Sequence, residues 1–309
     1  MHSMNFFGRR ILAIVPHQDD EVIGMGGHLA HAARVASELN LVLVTDGAAC
    51  GGVYRMLGQW DCRRLAAIGA GDLPLLEAHD AALVPGDDGP DAVRHSIYQT
   101  MPFDIAEAPD RATDTYSAAW GKQREFEFLA VATTLGVRRA HITFAYWDPA
   151  SPERIKDGQT AVDGRPLQPA DMTDRYARVA AHYIARFQPE IVITMAPYEF
   201  MPPPNDHWAC ATGVERAAAE SGCVERVVYV HSGVHYQHVV RGGEPIGRPV
   251  KLGEDLWAIK QDALRQYMRW DPANGWFATA AHSVPTTFAA LFTGAGATEY
   301  VSDSPVTVL

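Results

Sequence analysis

Residues 11–27 read I-L-A-I-V-P-H-Q-D-D-E-V-I-G-M-G-G, and this stretch indicates the fold class of the whole 309-residue chain. The apolar run Ile11–Val15 has the length and composition of a short buried strand. Pro16 ends it, because proline cannot donate to a sheet ladder. An acidic turn with one histidine follows at 17–21, and it leads directly into glycines and an alanine-rich helical stretch. In open α/β folds, such a strand-to-helix turn is a common place for a binding site.

The next segments extend this pattern into a βαβ unit. Gly27–Leu39 has apolar residues at helical spacing, and Leu41–Val44 is a second apolar run that ends in the turn sequence T-D-G at 45–47. A strand, a helix and a strand within about 35 residues predict parallel strands. We therefore expect an α/β fold with a Rossmann-like, mostly parallel sheet and helices on both faces.

Further elements are predicted along the rest of the chain, which we interpret as a single domain over residues 1–309. The predicted helices and strands cover residues 124–135, 140–146, 171–187, 190–195, 208–221, 225–230 and 255–270. Between them, Ala48–Trp120 breaks the rhythm, and such a long irregular segment is usually functional or disordered. We expect it to be an insertion over the carboxyl ends of the strands that walls the pocket and helps to select the substrate.

Composition excludes several classes of protein. Apolar residues make up 47% of the chain and charged residues 20%, so a sizeable core is possible. The formal charge of −11 and the lack of a basic run argue against a nucleic-acid partner. No apolar run approaches the roughly 18 residues that a membrane span needs. The sequence predicts a cytoplasmic protein without a membrane span, and it leaves a homo-oligomer open.

The acidic turn has the residue types of a metal site. His17 and Asp20 are three residues apart on a turn entering a helix, so their side chains can converge, whereas Asp19 points elsewhere and is free to act as a base. A catalytic zinc takes three protein ligands and keeps a position for water. The third ligand must come from another strand end. His207 is the leading candidate, and the preceding Asp206 could orient a ligand or a neighbouring imidazole.

A simpler interpretation exists for the acidic turn taken alone. Acidic residues are common in the first turn of a helix, where they favour the helix dipole. Two constellations with the same layout favour the metal site: strand, Pro-His, paired Asp and helix at 16–20, and strand, loop, Asp-His and helix at 206–207.

The hexapeptide P-H-Q-D-D-E at 16–21 resembles the P/A-H-P-D-D-E signature of the LmbE-like (PIG-L) zinc-dependent N-deacetylases. Weaker resemblances follow in the family's order, and together they cover most of residues 9–230. They are T-D-G at 45–47, R-x-x-E at 124–127 with L-G-V at 135–137, F-A-Y-W-D at 144–148, and P-N-D-H at 204–207. Members of this family remove acetyl groups from amino sugars in thiol cofactors, glycolipid anchors and antibiotics.

The resemblance implies one zinc ion per chain, with another divalent metal as the alternative. By position it implies that the metal ligands are His17, Asp20 and His207. It implies that the catalytic residues are Asp19 and Asp206, and that the substrate-binding residues are Arg124 and Asp148. Asp19 would be the general base for the water that attacks the amide carbonyl. Arg124 and Asp148 would hold substrate hydroxyls.

The sequence departs from the family pattern in both motifs. Gln18 replaces a proline of the first motif, Pro204 stands at the first histidine of the second, and Asn205 stands at its proline. The missing histidine is the expected oxyanion stabiliser or acid, so another group must take its place. The candidates are Tyr198, His231, His235 and His282.

These observations predict a zinc-dependent hydrolase that removes an N-acetyl or other N-acyl group from an amino sugar or sugar-bearing metabolite. The expected partner is a small N-acetylated sugar or glycoconjugate. Two alternatives stay open: a ligand-binding relative with weak or no activity, which the departure at Pro204 motivates, and a zinc hydrolase acting on a non-sugar amide or ester.

Overall fold

The computed structural model describes residues 5–47, 114–150, 155, 161–162, 165–166, 168–197, 205–231, 247–271, 274, 276–283, 287–288, 291 and 295–306. Its strands are β1 (Arg10–Val15), β2 (Glu38–Leu43), β3 (Ile142–Phe144), β4 (Ala161–Val162), β5 (Arg165–Pro166), β6 (Ile191–Met195), β7 (Arg226–His231), β8 (Arg248–Lys251), β9 (Trp270–Asp271), β10 (Trp276–Phe277) and β11 (Thr298–Pro305). Its α-helices are α1 (Asp20–Ile23), α2 (Gly26–Val35), α3 (Asp114–Thr134), α4 (Pro169–Phe187), α5 (Asp206–Ser221), α6 (Glu254–Tyr267) and α7 (Thr279–Ser283).

A seven-stranded sheet organises the molecule, in the order β3-β2-β1-β6-β7-β11-β8. The first five strands of that order are parallel, and β11 is antiparallel to both of its neighbours. Strand β1 lies between β2 and β6, so its carboxyl end opens beside two other strand ends. The predicted mostly parallel α/β sheet is confirmed.

Helices cover both faces of the sheet, and the side chains of β1 contribute to the apolar core on each face. Its residues after Arg10 are all buried and alternate between two apolar clusters. Ile11, Ala13 and Val15 face a core that includes residues of α2, α3 and α6. Leu12 and Ile14 face a second core that α4 and α5 cover. A strand that is buried on both faces has a continuous apolar sequence, which is typical of the strands of a parallel sheet.

The first helical segment differs from the prediction. The chain after the acidic turn forms the short helix α1 and then α2, which ends at Val35, and β2 already begins at Glu38. The predicted helix to Leu39 is therefore too long, because the apolar residues at its end belong to a strand that pairs with β1. Pairing with a neighbouring strand overrides helical spacing at such a boundary.

A second difference concerns the helix before β3. Helix α3 begins at Asp114 rather than at Arg124, so the last part of the predicted insertion is helical. The rest of that insertion, residues 48–113, lies outside the described residues.

The C-terminal tail supplies a strand that the sequence analysis does not predict. Strand β11 lies between β7 and β8, with Val301 opposite Val230. Glu299 and Val301 are buried, which is the alternation of a strand with one face on the core. The C-terminal segment is thus part of the main sheet. Within the part of the chain described here, no helix has the length and apolar character needed to cross a lipid bilayer.

Candidate metal centre

The acidic turn follows β1 as predicted, and its own backbone brings two of the predicted ligands together. The amide of His17 donates to Oδ2 of Asp20 over 3.0 Å, so the aspartate closes the turn. This bond leaves Nδ1 of the His17 imidazole 3.5 Å from the same oxygen. The convergence of His17 and Asp20 is therefore a local consequence of three-residue spacing on a turn into a helix.

The third predicted ligand comes from the start of α5. Asn205 is the N-cap residue of this helix, and its Oδ1 accepts a hydrogen bond of 2.9 Å from the amide of Trp208. His207, in the first turn, places Nε2 3.2 Å from Nδ1 of His17 and 3.7 Å from Oδ1 of Asp20. One ligand atom from each of the three residues lies within 4.8 Å of the other two.

These separations fit a shared metal ion. Two imidazole nitrogens 3.2 Å apart can share either a proton or a cation, and the carboxylate of Asp20 beside both favours a cation. Ligands at about 2.0–2.1 Å in tetrahedral geometry are about 3.3 Å from one another, close to the distances found here. Histidine and aspartate are also typical ligands of a catalytic zinc.

The charges of the buried side chains in this region also favour a bound cation. Asp19, Asp20 and Asp206 are buried, and among the described residues the buried cation beside them is Arg124. Burial alone would raise the pKa of Asp20, but the neighbouring His207 and His17 imidazoles outweigh it and lower that pKa. Asp20 is therefore anionic at neutral pH. A divalent ion among such carboxylates offsets their repulsion.

Asp206 orients the ring of His17 from the side opposite the ligand cluster. Its Oδ2 lies 3.1 Å from Nε2 of His17, while its Oδ1 accepts a hydrogen bond of 2.8 Å from the hydroxyl of Tyr176. A proton on Nε2, donated to this carboxylate, leaves the lone pair of Nδ1 directed at His207 and Asp20. Carboxylates commonly fix the tautomer of a metal-binding histidine in this way.

Asp19 is held by its backbone and by Arg124. It adopts φ 110° and ψ −28°, an uncommon conformation for a residue with a side chain. The guanidinium of Arg124 donates to Oδ2 of Asp19 over 3.2 Å, to the carbonyl of Gly47 over 3.0 Å and to the carbonyl of Gln18. Gly47 has φ +63°, and a Cβ there would lie 1.9 Å from the Gln18 side chain, so the turn requires glycine. Arg124 thus ties the turns after β1 and β2 together around Asp19.

Glu21 lies beneath the turn. Its Oε2 accepts from the amide of Asp19 over 2.9 Å, and its Oε1 accepts from the hydroxyl of Tyr267 over 2.6 Å. Burial raises the pKa of Glu21 to about 8. The carboxyl is therefore largely protonated at neutral pH, and it stabilises the backbone of Asp19 without adding a full negative charge.

The two predicted substrate-binding residues both contact protein groups. Arg124 is 2% exposed and makes the contacts given above. The carboxylate of Asp148 is buried after β3, where it accepts from Nε of Arg178 over 2.9 Å and lies 3.8 Å from Arg175. The structure brings Arg124 to the centre and places Asp148 among arginines of α4. Their roles in holding substrate stay predictions.

Two contributors to the centre are missing from the sequence analysis: Tyr176, which binds Asp206, and Tyr267, which binds Glu21. Each is a helix residue whose partner lies far away in the sequence, and apolar periodicity gives no signal for such a pair.

The sequence analysis names four candidates for the group that replaces the family histidine at Pro204. One of them, His231, is the last residue of β7, and its Nε2 lies 3.0 Å from Oγ of Ser302. Tyr198 and His235 lie outside the described residues, and so does the side chain of His282.

Comparison with known proteins identifies relatives by sequence and by structure. The model of the GlcNAc-PI de-N-acetylase family, PIG-L, matches residues 12–218. This range contains all seven predicted site residues, from His17 to His207. No protein of curated function matches the chain.

Solved structures share the fold at low identity. A deacetylase of the teicoplanin biosynthesis pathway is 17% identical, with a TM-score of 0.53, over 96% of this chain and 98% of the other. The A40926 pseudoaglycone deacetylase is 18% identical, with a TM-score of 0.53, over 98% and 100%. The N,N'-diacetylchitobiose deacetylase from Pyrococcus horikoshii is 16% identical, with a TM-score of 0.46, over 96% and 84%. The first two show that the fold extends over nearly the whole chain.

Proposed function

Because the chain belongs to the GlcNAc-PI de-N-acetylase (PIG-L) family, we propose that it is a metal-dependent hydrolase that removes an N-acetyl group from an amino sugar or a sugar-bearing metabolite. The family match confirms the resemblance found in the sequence motifs. The observation that carries the proposal is the convergence of His17, Asp20 and His207, with the buried Asp19 next to Asp20 in the same turn.

His17, Asp20 and His207 would hold the metal, with zinc the ion best suited to two imidazoles and a carboxylate. When bound, such an ion supplies Lewis acidity, which polarises an amide carbonyl and acidifies a water molecule. Asp206 keeps His17 in the tautomer that presents Nδ1, and Tyr176 holds Asp206 in turn. These contacts would keep the His17 ring in the orientation that ligation requires.

Asp19 would move the proton. Its carboxylate accepts a proton from the water that attacks the acetyl carbonyl carbon, and Arg124 keeps the carboxylate aimed while it does so. The same carboxyl then donates that proton to the amide nitrogen as the carbon–nitrogen bond breaks. The products are acetate and the free amine, and Asp19 returns to its starting state.

Metal removal tests this proposal directly. We expect the purified protein to contain about one zinc per chain and to release acetate from N-acetylated sugars. Dialysis against a chelator should abolish the release, and added zinc should restore it. Metal analysis, acetate assays and a parallel series of N-acylated amines and amino acids would be run on the same preparation.

Two results would contradict the proposal. The metal assignment fails if acetate release survives complete removal of divalent ions. The sugar assignment fails if the acylated amines or amino acids are hydrolysed and the acetamido sugars are not.

A further inference from the structure

The side chain of Gln18 has no role in the chemistry described so far, although it lies within the acidic turn. It is fully buried, and its Nε2 donates to the carbonyl of Asp46 over 3.0 Å. Asp46 belongs to the turn after β2, so this bond joins two turns that are 28 residues apart. The proline of the family motif has no side-chain donor, so a proline at this position could not make the bond.

This bond lies beyond the end of the strand pairing. Strands β1 and β2 are paired up to the last residue of each. Just beyond them, the amide and the hydroxyl of Thr45 both donate to the carbonyl of Pro16, over 3.1 and 2.8 Å. Past these residues, the side chains of Gln18 and Arg124 link the two turns. The position of the turn at 46–47 therefore depends on side-chain contacts as well as on the sheet.

The guanidinium of Arg124 connects this link to the carboxylate of Asp19. It donates to the carbonyl of Gly47 over 3.0 Å, to the carbonyl of Gln18, and to Oδ2 of Asp19 over 3.2 Å. A guanidinium is planar, with its N–H bonds in fixed relative directions. A shift of the turn at 46–47 therefore changes the direction in which Arg124 donates to Asp19.

The Gln18 side chain also packs against Gly47. A Cβ at Gly47 would lie 1.9 Å from Oε1 of Gln18 and 2.8 Å from a terminal guanidinium nitrogen of Arg124, so both groups converge on this glycine. Oε1 is buried and has no hydrogen-bond partner among the residues that the structure describes. An unpaired buried oxygen costs free energy, which offsets part of the stabilisation from the Nε2 bond. The amide thus fixes the geometry of the turn and adds little net stability.

From these contacts, we propose that Gln18 is a positioning residue for the reaction. Its side-chain amide holds the turn at 46–47 and, through Arg124, keeps the carboxylate of Asp19 directed at the attacking water. A displacement of about 1 Å in an active site can cost roughly 10²-fold in rate, so a residue that only fixes a turn can still affect kcat. The inference rests on the proposed function, since Asp19 must be the proton acceptor. It gives a role to a residue that departs from the family pattern.

Replacing Gln18 by methionine tests the role of the amide. Methionine is an unbranched side chain of similar length, but it has no N–H donor and no amide oxygen. We expect Gln18→Met to lower kcat about tenfold, less than the cost of a 1 Å displacement, because Arg124 keeps its own bonds. KM should stay within about twofold, since the chemical step is affected and substrate binding is not. Steady-state acetate release measures both constants.

Two further measurements separate positioning from a structural role. Zinc content and the unfolding temperature of Gln18→Met should match those of the wild type, because the variant loses an unpaired buried oxygen together with the bond. A loss of kcat that is accompanied by loss of zinc or by a lower unfolding temperature would overturn the inference, since a structural role would explain it.

Gln188→Met is the matched control. The side chain of Gln188 also donates to a backbone carbonyl, that of Ala185, over 2.9 Å, but it is exposed. It follows α4 just before β6 begins, so it lies at the edge of the sheet opposite to the acidic turn. This control should leave kcat unchanged, and a Gln18→Met kcat equal to that of the control would overturn the inference.

A double-mutant cycle shows whether Gln18 acts through Asp19. The Asp19→Asn background has no carboxylate to direct, so adding Gln18→Met there should lower kcat by less than about twofold. A tenfold loss in both backgrounds would show that the two residues act independently, and it would overturn the inference.

Acetate release by the wild-type enzyme is measured first, so that the two proposals can fail separately. Absence of acetate release refutes the proposed function. An active wild-type enzyme in which Gln18→Met behaves like the control refutes the role of Gln18 alone.

Discussion

Asp19 combines an uncommon backbone conformation with a central place in the proposed chemistry. A non-glycine residue at φ 110° costs on the order of 1–3 kcal/mol, and it persists only where its surroundings hold it. Here the amide of Asp19 is bound by Glu21 and its carboxylate by Arg124. Backbone strain of this kind is concentrated at functional sites, which agrees with the role proposed for Asp19.

Replacing Asp19 by asparagine should separate chemistry from structure. Asparagine tolerates positive φ and has nearly the same shape, but it cannot accept a proton as a carboxylate does. We expect Asp19→Asn to lower kcat by roughly 10²–10⁴-fold while zinc content and the unfolding temperature stay close to those of the wild type. Steady-state acetate release, metal analysis and thermal unfolding would measure the three quantities.

The control is Asp174→Asn, an exposed carboxylate that pairs with Arg216 on the neighbouring helix. It should leave kcat unchanged. If Asp19→Asn retained kcat within a factor of about three, which is far less than the loss of a general base causes, Asp19 would not be the base.

At the scale of elements, the start of α5 accounts for one departure from the family pattern. Asn205 replaces a proline there, and its side chain caps the helix that carries Asp206 and His207. Asparagine is among the best N-cap residues, because its side-chain oxygen accepts from an amide that has no partner within the helix. The residue at 205 therefore affects how firmly His207 is held.

Asn205→Ala should destabilise the protein by about 1 kcal/mol, the usual cost of losing an N-cap, and should weaken zinc binding because His207 lies in the uncapped first turn. Asn205→Asp keeps an acceptor and should preserve both properties. Urea unfolding gives the free energy, and competition with a chelating dye gives the zinc affinity. Equal stability and affinity in the alanine and aspartate variants would show that the cap does not position the ligand.

At the scale of the whole molecule, Glu299 connects the C-terminal strand to the helices after the acidic turn. Its buried carboxylate accepts from the amides of Gly27 and His28 over 2.7 and 3.0 Å, at the start of α2. It also pairs with Nζ of Lys260 over 2.6 Å, and Lys260 donates to the carbonyl of Ile23, the last residue of α1, over 3.2 Å. The network anchors both helices to β11 and α6.

This network predicts loss of stability in acid. Burial alone would raise the pKa of Glu299, but Lys260 and His28 outweigh it and lower that pKa to about 2, from an ordinary value of 4.5. Because the folded pKa is the lower one, the stabilisation is complete above about pH 4.5 and disappears as the pH falls from there to about 2. The corresponding change in the free energy of unfolding is roughly 3 kcal/mol.

Glu299→Gln should be less stable than the wild type at pH 7, since Lys260 loses its buried partner. It should also lose less stability between pH 6 and pH 3. Urea unfolding at several pH values measures both effects, and Asp303→Asn, an exposed carboxylate on the same strand, is the control. A variant with the same acid dependence as the wild type would show that Glu299 does not cause it.

The sequence by itself determined the parallel sheet, and it pointed to the three candidate ligands that the structure brings together. Ile11–Val15 is apolar throughout because it is buried on both faces, and His17 and Asp20 converge because three residues separate them on one turn. Both are local properties of the chain, so a local pattern reveals them. His207, 190 residues further along, was a candidate because it follows another strand end, and the resemblance to the family implied the same residue.

Only the tertiary structure decided which groups support those residues. Arg124 contacts Asp19 across 105 residues, Tyr267 contacts Glu21 across 246, and Glu299 contacts Gly27 across 272. The unpredicted strand β11 carries Glu299 and lies between β7 and β8 in the main sheet. Such contacts depend on how distant elements pack, and neither composition nor periodicity records that packing.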